Sequence, residues 1–168
     1  ARAPHLRVLR HDRSGGQSAA VHSGVKAARG AICCTLDGDG QNPPGELPKL
    51  IGPLTDPAVG LVAGQRVGRQ DTWSKRYASK FANALRARVL HDHTRDTGCG
   101  LKGFRREAFL ELPYFDHMHR YLPALFTRDG WQVAHVDVSH RPRGGGRRIT
   151  TTFSARLSGC PTDGVAWL

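Results

Sequence analysis

Acidic residues are scarce in this chain. Only 14 Asp and Glu stand against 25 Lys and Arg, so the formal net charge is +11 over 168 residues, with a pI of about 10.4. Such a balance points to an anionic partner, and nucleic acid, anionic lipid and phosphorylated small molecules all qualify. Long apolar runs are missing as well: none approaches the roughly 20 residues that cross a bilayer. Residues 1–16 are basic and polar, without the apolar centre of a secretory signal. Cysteine is sparse, and Cys33, Cys34, Cys99 and Cys160 show no Cys-x-x-Cys spacing, which argues against a zinc site or a disulfide framework. Cys33 and Cys34 fall inside an apolar run and read as reduced core thiols of a cytosolic compartment. The chain has no initiator Met and opens in a strand-like stretch, so a fragment is expected. The nine histidines are scattered, and the tightest group, His91-Asp92-His93, reads as a solvated turn. With 39% hydrophobic residues and a mean hydropathy of −0.44, the chain suits one domain with a real core.

Residues 31–44 organise the rest. Ala31-Ile32-Cys33-Cys34-Thr35-Leu36 is too short for a helix and suits a buried strand. It runs into Asp37-Gly38-Asp39-Gly40-Gln41, after which Pro43-Pro44 forbids continuation. Two carboxylates are thereby expected at the C-terminal tip of a buried strand, where open α/β sheets place their ligands. An Asp-x-Asp pair can share one hard divalent cation, Mg²⁺ or Mn²⁺, with Gln41 adding a neutral oxygen. An Asx-type turn capping the next helix is the competing reading.

Along the chain, residues 6–9 read as a strand. A helix is expected over 17–29, with Ser14 as its cap and Gly30 as its end; Ala20, Gly24, Ala27 and Ala28 would let it pack close to a sheet. With the strand after it, this makes a strand–helix–strand unit and hence a parallel sheet. A short helix over 46–51 and a strand over 59–66 follow. Residues 73–90 give the clearest helix: Trp73, Tyr77, Phe81, Leu85 and Val89 form one stripe, and Lys75, Arg76, Lys80, Arg86 and Arg88 crowd the rest. Both a solvated basic face and a helix lying on a membrane surface fit that pattern. Residues 95–103 read as a glycine loop that approaches something closely. Short helices over 106–112 and 119–128, with Leu122, Leu125 and Phe126 inward, precede an alternating strand over 132–138. Arg141-Pro142-Arg143-Gly144-Gly145-Gly146-Arg147-Arg148 reads as a cationic loop that an anion would order. One domain is expected over 1–148, with a tail over 149–168 that is docked or disordered.

Taken together these motifs resemble family 2 glycosyltransferases of the GT-A fold, in particular the polyprenyl-phosphate sugar transferases of the dolichol-phosphate mannosyltransferase type. The likeness rests on Leu36-Asp37-Gly38-Asp39-Gly40-Gln41-Asn42-Pro43-Pro44, on Gly16-Gln17-Ser18-Ala19-Ala20 with Gly24, and on Val62-Ala63-Gly64-Gln65-Arg66. It extends through Arg95-Asp96-Thr97-Gly98-Cys99-Gly100-Leu101-Lys102, Phe104-Arg105-Arg106 and His140-Arg141-Pro142-Arg143. Ordered matches of this kind are far more specific than any single one. Two departures stand out. The family's first strands, carrying Val-Pro-x-Tyr-Asn-Glu and Asp-Asp-Gly-Ser, have no counterpart here, and its Gly-x-Ser-Lys-Tyr loop is replaced by Gly146-Arg147-Arg148-Ile149.

The resemblance implies an α/β fold of GT-A (Rossmann-like) type: a three-layer sandwich, its sheet mostly parallel, with helices on both faces and the first strands missing. It implies inverting, metal-dependent transfer of a sugar from a nucleotide-diphosphate donor, of GDP-mannose or UDP-glucose type, to a dolichyl or undecaprenyl phosphate. Asp37, Asp39 and Gln41 would hold Mg²⁺ or Mn²⁺, with Asp39 also catalytic. Arg141, Arg143, Arg147 and Arg148 would take the donor diphosphate, and Arg66, Lys75 and Arg76 the acceptor phosphate. Asp96 is a further catalytic candidate, as a base, as an orienting group, or as a local cap of loop amides. The expected location is the cytoplasmic face of a membrane, held peripherally. Two other readings are a non-catalytic remnant and a basic nucleic-acid-binding domain; the latter is weakened by the lack of any nucleic-acid motif.

Overall fold

The computed structural model describes residues 7–38, 40–66, 99–141 and, for the backbone alone, 165–167. Helix α1 (Gly16–Ala27) leads into strand β1 (Ile32–Thr35). Helix α2 (Leu47–Ile51), flanked by 3₁₀ turns, comes next, and then strand β2 (Val59–Arg66). Strand β3 (Lys102–Arg105) runs directly into helix α3 (Arg106–Glu111). Helix α4 (Leu122–Arg128) and strands β4 (Gln132–Val138) and β5 (Val165–Trp167) complete the described elements.

The strands form one sheet in the order β4-β2-β3-β1-β5. β2 pairs in parallel with β4 and β1 with β5, while β3 is antiparallel to both β1 and β2. All strands but β3 therefore point the same way, and the expected mostly parallel α/β sheet with helices on both faces is borne out. Side chains alternate across the sheet. Cys33, Leu61 and Phe104 face α1, α3 and α4, while Cys34, Val62 and Leu101 face α2. Phe104 is fully buried and stacks on Phe109 with ring centroids 4.8 Å apart. Burial pushes the Cys33 thiol up to about 12 against a smaller opposing pull from Arg106. Cys34 is raised further, by burial and then by Cys33. Both thiols are free and neutral, as core residues should be.

Three local expectations need correction. Residues 7–10 form no strand, and Val8 and Leu9 are exposed. The edge of β1 that a strand–helix–strand unit would use is occupied by β5, so this segment does not pair there. Ser14 does not cap α1: the N-cap is Gly15, without a side-chain hydrogen bond, because a left-handed Gly16 (φ 79°) turns the chain one step later. The helix also stops before Gly30, since Ala28 is already extended while its N–H still bonds to Gly24 and Val25. Arginines satisfy other carbonyls at that end: Arg106 donates to Val25 and Lys26, and Arg7 to Ala27. Arg105 likewise donates to the carbonyls of Leu54, Asp56 and Val59. The Arg105-Arg106 pair, grouped in the sequence with the acceptor-side loop, is thus engaged in holding α1 and the turn before β2.

Phe104 joins three packed elements, so Phe104→Ala should lower stability by about 3–5 kcal/mol through the cavity it leaves. Urea denaturation of the purified protein, read as a drop in midpoint with an unchanged slope, checks this.

Candidate active site at the strand ends

Since β1, β2 and β4 point the same way, their C-terminal ends share one edge of the sheet, and the antiparallel β3 begins on that edge. Asp37 lies two residues beyond β1, half-buried at this rim. Because α1 runs back along the sheet before β1, its first turn lies at the same edge, and Gln17 Nε2 donates to Asp37 Oδ1 at 3.4 Å. Entry of the chain into β3 closes the other side. Thr35 Oγ1 donates to the Gly100 carbonyl at 2.7 Å, and the Gly64 N–H donates to Leu101 O at 3.0 Å. A Cβ at position 100 would stand 2.0 Å from Asp37 Oδ2. The glycine at 100 is what lets this loop lie directly on the carboxylate.

The end of β4 reaches the same turn. Arg141 N–H donates to Gln41 O at 2.9 Å, and His140 Nδ1 lies 3.4 Å from Oδ1 of the buried Asn42. Ser139 Oγ donates to Glu46 Oε1 at 3.0 Å. The carboxyl of Glu46 is held below its usual range by its hydrogen bond to Lys49 and then by those from Ser139. Arg66 ends β2, half-buried, opposite Val138 of β4. Asp37, Gln41, Arg66 and Arg141 are therefore placed along a single edge. Asp39, Lys75, Arg76, Asp96, Arg143, Arg147 and Arg148 lie outside the described residues.

Beneath Asp37 sits a polar cluster that sequence reading missed. Lys102 is buried and its Nζ donates to the Cys99 carbonyl. Nearby, His119 Nδ1 shares a 2.7 Å hydrogen bond with Ser18 Oγ. Burial holds His119 down at about 4, helped by the charges of Lys102 and Arg120 and by His117. A buried lysine facing Thr35 in the ladder has no periodic signature, and Ser18 and His119 are 101 residues apart. Gln17 alone carried a hint, as the residue after Gly16 at the start of a helix that leads to the acid-tipped strand.

The donor chemistry at the tip suits a hard divalent cation. Asp37 offers a carboxylate and Gln41, on the same turn, an amide oxygen, with Asp39 between them in sequence. The Cys33 and Cys34 thiols are protonated and turned into the core. Among the described residues no group of three His, Cys, Asp or Glu side chains forms a ready-made metal cage.

Known proteins resemble this chain in sequence and in fold. The family description "Glycosyl transferase family 2" matches residues 1–112. A dodecaprenyl-phosphate galacturonate synthase of Rhizobium johnstonii is 34% identical over 141 residues, covering 82% of this chain and 42% of the relative. An undecaprenyl-phosphate 4-deoxy-4-formamido-L-arabinose transferase of Proteus mirabilis is 30% identical over 139 residues, covering 83% and 42%. The chain thus spans less than half the length of these curated relatives. Among solved structures, glucosyl-3-phosphoglycerate synthase from Mycobacterium tuberculosis, crystallised with Mn²⁺, UDP-glucose and glycerol 3-phosphate, superposes with a TM-score of 0.56 at 26% identity. That match covers 78% of this chain and 49% of that one. The same enzyme with phosphoglyceric acid gives 0.58 at 24% identity.

Two measurements follow from this geometry. Gly100→Ala should displace the Asp37 carboxylate and weaken Mn²⁺ binding about tenfold or more, while melting shifts by only a few degrees; calorimetric titration beside a thermal scan reports both. The second concerns His119, whose folded value of about 4 lies below its ordinary 6.5. Between those values the unfolded chain binds the extra proton, so stability should fall as pH drops from 6.5 towards 4. Melting temperature against pH, compared with that of His119→Asn, should show the slope flatten in the variant.

Proposed function

The chain belongs to glycosyl transferase family 2, and from that premise we propose that it forms part of an enzyme moving a sugar from a nucleotide-diphosphate donor to a polyprenyl phosphate, with inversion. The observation that carries this reading is the meeting of three segments at one strand end: the acid tip at Asp37, the glycine loop resting on it, and the Arg141 segment tied to Gln41. The curated relatives named as polyprenyl-phosphate transferases support the choice of acceptor. The Mn²⁺ and UDP-glucose in a neighbouring enzyme support the donor type. The domain doing this work is proposed to extend over 1–148.

Asp37, Asp39 and Gln41 would hold Mg²⁺ or Mn²⁺. When bound, the cation offsets the negative charge that grows on the departing diphosphate. Arg141, whose backbone is fixed to Gln41, starts a segment whose further arginines, Arg143, Arg147 and Arg148, close over the same diphosphate and exclude water. Arg66 at the end of β2, with Lys75 and Arg76, seats the acceptor phosphate. That phosphate is already anionic and nucleophilic at neutral pH, so no strong base is needed; Asp96 is assigned to orienting the sugar or an arginine. Attack from the face opposite the diphosphate inverts the anomeric carbon. Among the described residues no helix is long and apolar enough to cross a membrane, and the proposed association is peripheral, on the cytoplasmic face.

Asp37→Asn in the full-length protein should lower Mn²⁺-dependent transfer of radiolabelled sugar into polyprenyl-phosphate lipid by about 100-fold or more, with an unchanged melting temperature. Full turnover in that variant would refute the role of the acid tip. Tight, salt-sensitive DNA binding with no transfer by the wild type would favour the nucleic-acid reading instead.

A further inference from the structure

Helix α1 begins without an anchor of its own. Its N-cap is Gly15, which makes no side-chain capping bond, and Gly16 follows with φ at 79°. No acidic residue stands in the first turn to favour the dipole. A start of this kind should fray, yet Gln17 in that turn donates to Asp37. What fixes it comes from far along the chain. Ser18, adjacent to Gln17 and only 3% exposed, shares the 2.7 Å hydrogen bond with His119 Nδ1 and accepts a longer one, 3.4 Å, from the His119 backbone N–H. With the Ser18 oxygen accepting from that backbone, its hydroxyl proton is directed at Nδ1, which a neutral ring can accept.

We propose that His119 is a positioning residue for the acid tip: by holding Ser18 it fixes the uncapped first turn of α1, so that Gln17 keeps the Asp37 carboxylate aimed for ligand binding. The assignment rests on the reading of Asp37 given above. His119 touches neither cation nor substrate; it acts through Ser18 and Gln17. The imidazole lies beside the buried Lys102, on the 3₁₀ turn (Met118–Arg120) that precedes α4. The same turn is fastened to the core by the fully buried Met118, so the anchor is rigid at its far end.

A double-mutant cycle on Mn²⁺ affinity, measured with UDP or GDP present in the full-length protein, separates this from a general structural effect. Gln17→Ala should weaken binding about tenfold. His119→Ala should weaken it about fivefold, and the double variant no more than Gln17→Ala alone. His119→Asn, which retains a group at the Nδ1 position, should stay within about twofold of wild type. Losses that multiply in the double variant, or no loss in His119→Ala, would overturn the proposal. Amide hydrogen exchange provides a readout independent of metal: His119→Ala should deprotect the amides of residues 17–21, with α3 unchanged. Unaltered protection there would also overturn it. A wild type that binds no Mn²⁺ refutes the metal reading of Asp37, whereas the exchange result still decides whether His119 holds the turn.

Discussion

The Asp37 carboxylate fills the space that a side chain at position 100 would need, and segments from three strands meet around that contact. The loop can lie on the carboxylate only because position 100 has no side chain. It is kept there by the Thr35 hydroxyl on the Gly100 carbonyl, by the Gly64 amide on Leu101 and by Lys102 reaching back to Cys99. These bonds come from β1, β2 and β3, the three central strands. A shift in the register of any of them would move the loop off the acid. Sheet register and site geometry are therefore one constraint at this edge.

The antiparallel β3 makes that constraint available. In an all-parallel sheet, every chain would leave the ligand edge in the same sense. Here β3 starts at that edge, between β1 and β2, so the loop entering it meets the departing ends of both neighbours. A strand running against the others thus adds a third backbone segment to a rim that β1 and β2 already define.

How much of this was legible in the sequence depends on whether local chemistry or distant partners decide each piece. β2 was readable as residues 59–66 because an apolar run bounded by glycine, proline and charge has few other fates. The acid tip was readable because Asp-Gly-Asp after an apolar run breaks the strand by local chemistry alone. β3 was not: in Lys102-Gly103-Phe104-Arg105 one face carries a lysine and a phenylalanine, and the other carries a glycine against Leu50. No alternation of polarity marks it, and its partners on both sides supply the stability. The mistaken strand over 6–9 shows the converse, since its composition suits a strand but β5 holds the edge it would need. Ser14 has the chemistry of a cap, yet Gly16 sets where the helix begins.

The distribution of charge follows the same division between edge and interior. Two of the cations are spent on backbone carbonyls: Arg105 and Arg106 bind five of them between β2, α1 and the residues following α2. Net charge alone is thus a poor guide to where an anion would bind, because a guanidinium that holds several backbone carbonyls is less available to a phosphate. Arg66 and Arg141 differ in position, not in type. Each stands where a strand has just ended on the ligand edge. Beside them, Lys102 is buried and His119 is kept neutral near pH 7 by burial and by the charge of Lys102. In the proposed function, this rim would set a carboxylate for a cation beside arginines for phosphate.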